Sequence, residues 1–142
     1  MTAPLPQPPP LLEFAIPGRL PALNELLAAS AVHAAERVRG ARWTRYSRVK
    51  RDASALVKIS VPRGTPTIAT RVDAGFAFWA HADRRDPDNV LAGAIKITLD
   101  ALVSAGVLRD DSRKWIGNLY GIFYSVDKHG DERVEVTLWK SR

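Results

Sequence analysis

Apolar and polar positions along the chain follow two periods, and together they predict seven elements. Leu11–Ile16 reads as a first strand closed by Pro17-Gly18. Asn24 is placed to cap a helix over the Ala-rich stretch Glu25–Arg37, which Gly40 ends. A second helix is expected from Ala41 to about Ser60, because Ala53, Leu56 and Val57 share one face before Pro62, Gly64 and Pro66. In Thr70–His81 the residues Val72, Ala74, Phe76, Phe78 and Ala80 alternate with Arg71, Asp73, Gly75, Ala77 and Trp79, the period-two signature of a strand with one apolar face.

Asp88–Ser104 carries the clearest helical stripe: Val90, Leu91, Ala94, Ile95, Leu99, Leu102 and Val103. Gly106 suits the left-handed position after that helix. Trp115–Val126 and Arg133–Trp139 read as two strands joined into a hairpin by Asp127–Asp131. The order β, α, α, β, α, β, β predicts an α/β or α+β fold, a small mixed sheet of about four strands covered by two or three helices. Strand order does not follow from it.

The chain has 142 residues, the size of one domain, expected over 11–142 after a disordered Pro-rich leader at 1–10 that holds five of the ten prolines. A net charge of +6 and a pI near 10.1 point to an anionic partner, with nucleic acid ahead of a membrane surface. Cysteine is absent, which excludes disulfides, thiolate nucleophiles and Cys-ligated zinc. His33, His81 and His129 stand singly, without ligand spacing. No apolar run approaches membrane-spanning length and the start lacks a signal-peptide pattern, so a soluble cytoplasmic protein is expected.

Candidate chemistry concentrates in Asp83–Lys114. Asp86, Asp88 and Asn89 fall between a strand and an amphipathic helix, Lys96 within that helix, and Asp110 and Asp111 just beyond its end. Paired carboxylates are the hard oxygen ligands that Mg²⁺ prefers, and a third carboxylate with water and a phosphate would complete an octahedral shell. Helix capping explains one aspartate equally well. An EF-hand beginning at Asp86 fails because Leu91 and Ile97 stand where Gly and Glu belong. Asp86-Pro87-Asp88-Asn89-Val90 is also similar to the nucleophile motif of haloacid dehalogenase phosphatases, but too little chain follows to complete that domain. Phosphate loops, HExxH and a Ser–His pair are absent.

Arg37–Arg51 forms a second constellation: Arg37, Arg39, Arg42, Arg45, Arg48, Lys50 and Arg51 without one acid, interleaved with Trp43 and Tyr46. A solvated charged face is the bland explanation, and a helix stripe tracking phosphates is the functional one. Trp43 is placed either to stack on a base or to anchor the core.

Arg85-Asp86-Pro87-Asp88-Asn89, Lys96, Leu99-Asp100-Ala101-Leu102, Ala105-Gly106-Val107 and Asp110-Asp111 together resemble the RusA family of Holliday junction resolvases, often encoded by prophages. Ile16-Pro17-Gly18-Arg19-Leu20-Pro21 and Asn24 are similar to the N-terminal signature of its phage-type members. The resemblance implies a homodimeric, bacterial or phage-encoded endodeoxyribonuclease that nicks opposed strands of a four-way DNA junction, with Mg²⁺ as cofactor and Mn²⁺ as a substitute. It carries the essential aspartates to Asp86, Asp88 and Asp111, as catalytic and metal-binding residues, and the essential lysine to Lys96. In the founding bacterial member the lysine follows the second aspartate by four residues; here Ala92 holds that place and Lys96 lies about one helical turn further on. Expected DNA contacts are Arg84, Arg85, Asn89 and the seven basic residues of 37–51.

Two other classes of function fit the residues. One is a non-catalytic DNA- or RNA-binding module with structural aspartates; the other is a small-molecule phosphohydrolase, disfavoured because no phosphate cradle is present. A continuous helix over Asp88–Ser104 would also separate Asp111 from Asp86 and Asp88 by about 25 Å unless the following loop doubles back. An antiparallel dimer offers another route, in which Asp111 completes the partner's site.

Overall fold

The computed structural model describes residues 8–38 and 45–142, and the side chains of these except 31–38 and 45–46. The Pro-rich stretch through residue 7, together with Arg39, Arg42 and Trp43, lies outside the described residues, as do the side chains of His33, Arg37, Arg45 and Tyr46.

The elements are β1 (Leu12–Pro17), α1 (Leu23–Val38), α2 (Arg45–Ser60), β2 (Val72–Ala80), α3 (Pro87–Ser104), β3 (Ile116–Ser125) and β4 (Arg133–Lys140). They form an α+β domain with an open four-stranded mixed sheet in the order β1-β4-β2-β3. β4 runs antiparallel to both β1 and β2, while β2 and β3 are parallel and joined through α3.

This order corrects the expected hairpin, since β3 and β4 are separated by β2. The reason lies in their side chains. β4 buries every second residue, Val134, Val136 and Leu138, and belongs in the middle of a sheet covered on that face. β3 buries only Ile116 and takes the edge. The segment Asp127–Asp131 is therefore a turn that carries the chain past β2, built on Asp127, whose carboxylate accepts the His129 amide at 3.0 Å.

Asn24 is also repositioned. α1 starts at Leu23, and its first backbone bond, Leu26 N–H to Ala22 O at 3.1 Å, puts Ala22 at the cap. Gly106 behaves as expected. With φ +77° it closes α3 by donating to Val103 O at 3.0 Å, while Val107 N–H reaches Leu102 O at 2.9 Å, the paired bonds of a Schellman turn.

The core lies between the sheet and the helices. Leu12, Phe14 and Ile16 of β1, Val72, Ala74, Phe76 and Phe78 of β2, and the three buried residues of β4 meet Ala53 and Val57 of α2 and Val90, Ala94, Ile97, Ala101 and Leu102 of α3. Each large side chain fully withdrawn from water contributes about 1.5–3 kcal/mol. The buried stripe of α3 is rotated from the expected one: Ile97, Thr98 and Ala101 are buried, whereas Leu91, Ile95 and Val103 remain partly exposed on a shoulder. β2 has cover on its second face as well, where Asp73 and Gly75 are buried. Asp73 accepts the Asn118 amide at 2.8 Å and pins the irregularity where the register slips from Val72↔Ile116 to Ala74↔Leu119. No helix among the described residues is long and apolar enough to cross a membrane.

Candidate active site

The turn between β2 and α3 holds the first pair of aspartates. Asp86 occupies the N-cap position in an extended conformation (φ −69°, ψ 135°) because Pro87 follows it at the first helical position. Its backbone carbonyl accepts the Val90 amide at 3.0 Å, yet its carboxylate makes no capping hydrogen bond. Asp86 and Asp88 are both exposed, as is Arg84, and Asn89 is half-buried. Capping therefore does not explain the Asp86 side chain.

The base of this turn is braced from two sides. Arg85 donates to both oxygens of Asp83 (Nε to Oδ1 2.9 Å, Nη2 to Oδ2 2.8 Å), to the Leu20 carbonyl at 2.8 Å and to Glu25 at 3.3 Å. Its side chain is only 20% exposed, and its hydrogen bonds hold the Asp83 carboxyl below the usual carboxylate range. Arg85, expected among the DNA contacts, is thus engaged in tying the turn to the β1–α1 connection. The second brace joins Arg19, Glu132, His81 and Ala82. Hydrogen bonds from Arg19 and from the His81 amide lower the Glu132 carboxyl to about 2. Arg19 falls within the N-terminal signature and Glu132 does not stand out in the sequence, and their pairing was not expected, since residues that meet across such separations leave no periodic trace.

Beyond the other end of α3, Asp110 and Asp111 take different roles. The Asp110 carboxyl is lowered chiefly by the Ser112 hydroxyl and then by the Asp111 amide, the mark of a carboxylate used to shape its own turn. Asp111 faces two open grooves. One, of about 490 Å³, is shared with Lys96, Asp100, Arg113 and Leu119; the other, of about 810 Å³ between α2 and α3, is shared with Lys50, Arg51, Lys58 and Asp100. Lys96 and Lys50 both approach Asp100, at 3.6 and 3.8 Å. Asp111, Lys96 and the described basic residues of α2 therefore lie on neighbouring surfaces, with exposed Arg48 on the same helix.

Asp100 was not expected as a site residue, although its spacing from Lys96 is the four-residue step that places two side chains on one helix face. A further basic group was also missed. Arg109 and Lys114 flank the Trp115 ring, at 5.4 and 5.5 Å from its centroid.

The two aspartate groups do not meet within one chain. Asp88 and Asp100 are separated by about 18 Å of helix rise, and Asp111 lies at the Asp100 level. Among the described residues no three His, Asp or Glu side chains cluster closely enough to hold a metal ion. The Asp86–Asp88 pair suits part of a Mg²⁺ shell by donor chemistry, but a three-carboxylate set is incomplete in a single copy. Comparison with protein-family models finds no match for this chain, and comparison with curated proteins finds none either.

Proposed function

We propose that the chain is a Mg²⁺-dependent endonuclease that acts on branched DNA as a homodimer, the activity its RusA-like residues imply. The observation that carries this reading is the Asp86 carboxylate, which occupies a cap position without capping and stands exposed with Asp88 at a braced turn. Asp86 and Asp88 of one subunit with Asp111 of the other would hold the metal, which when bound supplies a polarised water and charge stabilisation at the scissile phosphate. Lys96, beside Asp111, offsets charge on that phosphate. Arg48, Lys50, Arg51 and Arg84 hold the DNA arms, and junction choice follows from the spacing of two basic surfaces rather than from base contacts.

A second reading, a nucleic-acid-binding module without catalysis, is favoured by the lack of a three-carboxylate cluster within one copy. One experiment separates the two. The purified chain is incubated with synthetic four-way, three-way and linear DNA, with Mg²⁺, Mn²⁺ or EDTA. Paired nicks in the four-way junction that EDTA abolishes support the nuclease. Tight binding with no nicking in either metal supports the binding module.

A further inference from the structure

The connection from α3 to β3 carries Arg109, Arg113 and Lys114, all exposed, and the chain entering β2 brings exposed Arg71 against it. Three other arginines, Arg19, Arg85 and Arg133, each grip a carboxylate. These four cations do not: among the described residues none of them forms an ion pair, and neighbouring Asp110 is engaged by the Ser112 hydroxyl and the Asp111 amide. Like charges gathered on one connection repel one another until an anion joins them. The helix dipole does not account for the cluster, because α3 has no basic residue in its last turn and Gly106 closes it before Arg109 is reached.

We propose that this connection is a second phosphate-binding surface, on the other side of Asp111 from α2, and that its ligand is the backbone of duplex DNA. The proposal deepens the function above and rests on DNA as the substrate, but it requires no catalytic role for any aspartate.

Three observations select the occupant. The surface is built in advance: Val107 and Leu108 are buried beneath it, the Thr67 hydroxyl donates to the Gly106 carbonyl at 2.6 Å and the Ile68 amide to the Val107 carbonyl at 2.8 Å. At its other end the Trp115 and Ile116 amides both donate to the Ser112 carbonyl at 2.9 Å, and Arg71 Nε donates to the Arg113 carbonyl at 3.1 Å. The half-buried Trp115 ring holds the Arg109 guanidinium and the Lys114 ammonium at 5.4 and 5.5 Å from its centroid, which limits how far either can swing. Cations ordered in this way lose little freedom on meeting a phosphate. Second, three of the four are arginines, whose planar fork matches two phosphate oxygens at once. Third, no large apolar side chain is exposed on residues 61–71 or 105–115, so the surface lacks the anchor that a membrane would take.

The position of the cluster gives it a task. Asp111 faces one groove together with the basic residues of α2 and another together with Arg113. The carboxylates of Asp100 and Asp111 repel a phosphate chain, and Lys50 and Lys96 both lean on Asp100, at 3.8 and 3.6 Å, so part of the positive charge on the α2 side is already met. Cations on the other side supply the balance. A DNA strand crossing Asp111 is then held from both sides, by α2 on one and by the α3–β3 connection on the other.

The test measures binding by the whole chain in EDTA, without metal-dependent cleavage, on a labelled four-way junction and a linear duplex of unrelated sequence across a salt series. Arg113→Gln is expected to lower the log–log salt slope by about one, and the triple variant Arg109→Gln, Arg113→Gln, Lys114→Gln by about three, on both DNAs alike. Lys128→Gln, which removes an exposed cation from the turn before β4, is expected to leave the slope unchanged. A second measurement needs no charge variant: the fluorescence of Trp115, taken as the difference between the wild type and Trp115→Phe, is expected to change when DNA is added. That change stands as evidence even if the triple variant fails to fold. A wild type that does not bind DNA, a folded triple variant with the wild-type slope, or Trp115 fluorescence unmoved by saturating DNA overturns the inference. So does a triple variant that loses affinity for phosphatidylglycerol vesicles and keeps it for DNA. A reduced slope in Arg48→Ala beside an unchanged slope in the triple variant removes this surface and keeps DNA as the substrate. Reduced slopes in both, with no cleavage in Mg²⁺, keep the surface and remove the nuclease.

Discussion

Arg19 and Glu132 lie 113 residues apart in sequence and are joined by two hydrogen bonds, Nε to Oε2 at 3.0 Å and Nη2 to Oε1 at 2.8 Å. The same carboxylate accepts the His81 amide at 2.9 Å, and Arg19 Nη2 also donates to the Ala82 carbonyl at 2.8 Å. Three connections converge there: the one leaving β1, the one entering α3 and the one entering β4. The fork of a guanidinium matches a carboxylate in two places, so the contact sets orientation as well as distance. It fixes the base of the turn whose tip carries Asp86.

This clasp predicts an acid-sensitive contribution to stability. The Glu132 carboxyl is lowered from 4.5 to about 2 in the fold, first by the Arg19 hydrogen bonds and then by the His81 amide. A lowered carboxylate stabilises the fold above its unfolded value and loses that contribution as pH falls through the folded one. The urea midpoint of the wild type is therefore expected to exceed that of Glu132→Gln at pH 7. The gap should close between about pH 4.5 and pH 2. A gap that stays constant through this window assigns the clasp no ionic role.

Arg85 and Arg48 are expected to part company when neutralised. Arg85 is 20% exposed and engaged with Asp83, Leu20 and Glu25, so Arg85→Ala removes several charge-assisted bonds. The expected loss is about 1–3 kcal/mol of stability. Arg48 is exposed on α2, so Arg48→Ala should leave stability unchanged and lower the log–log salt slope of DNA binding by about one. Denaturation curves and salt titrations of both variants check the division. A reduced slope with unchanged stability in Arg85→Ala restores that residue to the DNA surface.

Gly93 marks where α3 touches the β1–α1 connection. A Cβ there would stand 2.1 Å from the Pro21 carbonyl oxygen and 2.7 Å from the Ala22 carbonyl carbon, both backbone atoms. Alanine gains about 1 kcal/mol in helix propensity, but overpacking costs typically about 1–3 kcal/mol and more where backbone must move. Gly93→Ala is expected to be net destabilising by about 1–3 kcal/mol in urea unfolding. A neutral or stabilised variant would mean that the connection yields without strain.

Elements governed by local periodicity were legible in the chain. The alternation in β2, the existence and glycine stop of α3 and the sheet-plus-helices class all follow from side chains that repeat at 2 or 3.6 residues, although the face of α3 that is buried is rotated from the expected stripe. Pairing of strands was not legible. β3 and β4 are adjacent in sequence and separated by β2, because burial on the covered face, a property of the assembled sheet, selects β4 for its interior. The spacing of Asp86 and Asp88 placed them at the N-terminal end of α3, where both stand exposed, and the lack of a capping bond separates Asp86 from an ordinary cap. Their braces were missed for the same reason as the strand order: Arg19, His81 and Glu132 converge only in three dimensions. Asp110 and Asp111 are alike in sequence. The Ser112 hydroxyl tells them apart, since it engages Asp110 and leaves Asp111 facing the grooves.

The separation of Asp88 from Asp111 along α3 leads to the last prediction, a complementation between two inactive variants. If each site takes Asp86 and Asp88 from one copy and Asp111 from the other, Asp88→Asn and Asp111→Asn homodimers are both inactive, since every site lacks one ligand. A mixed dimer differs. One of its sites draws Asn from both subunits and collects both defects, while the other draws Asp88 and Asp111 from the unaltered positions and is intact. The mixture is expected to nick one strand of a four-way junction at roughly half the wild-type rate per dimer, without the paired cut that linearises the arms. If all ligands come from one chain, every site in the mixed dimer carries one defect and nothing is nicked. Differently tagged subunits purified as a verified heterodimer, assayed on end-labelled junctions with Mg²⁺, decide between the two. An inactive heterodimer of two folded variants removes the shared site, and a single-strand nick in a mixture whose parents are both inactive requires it.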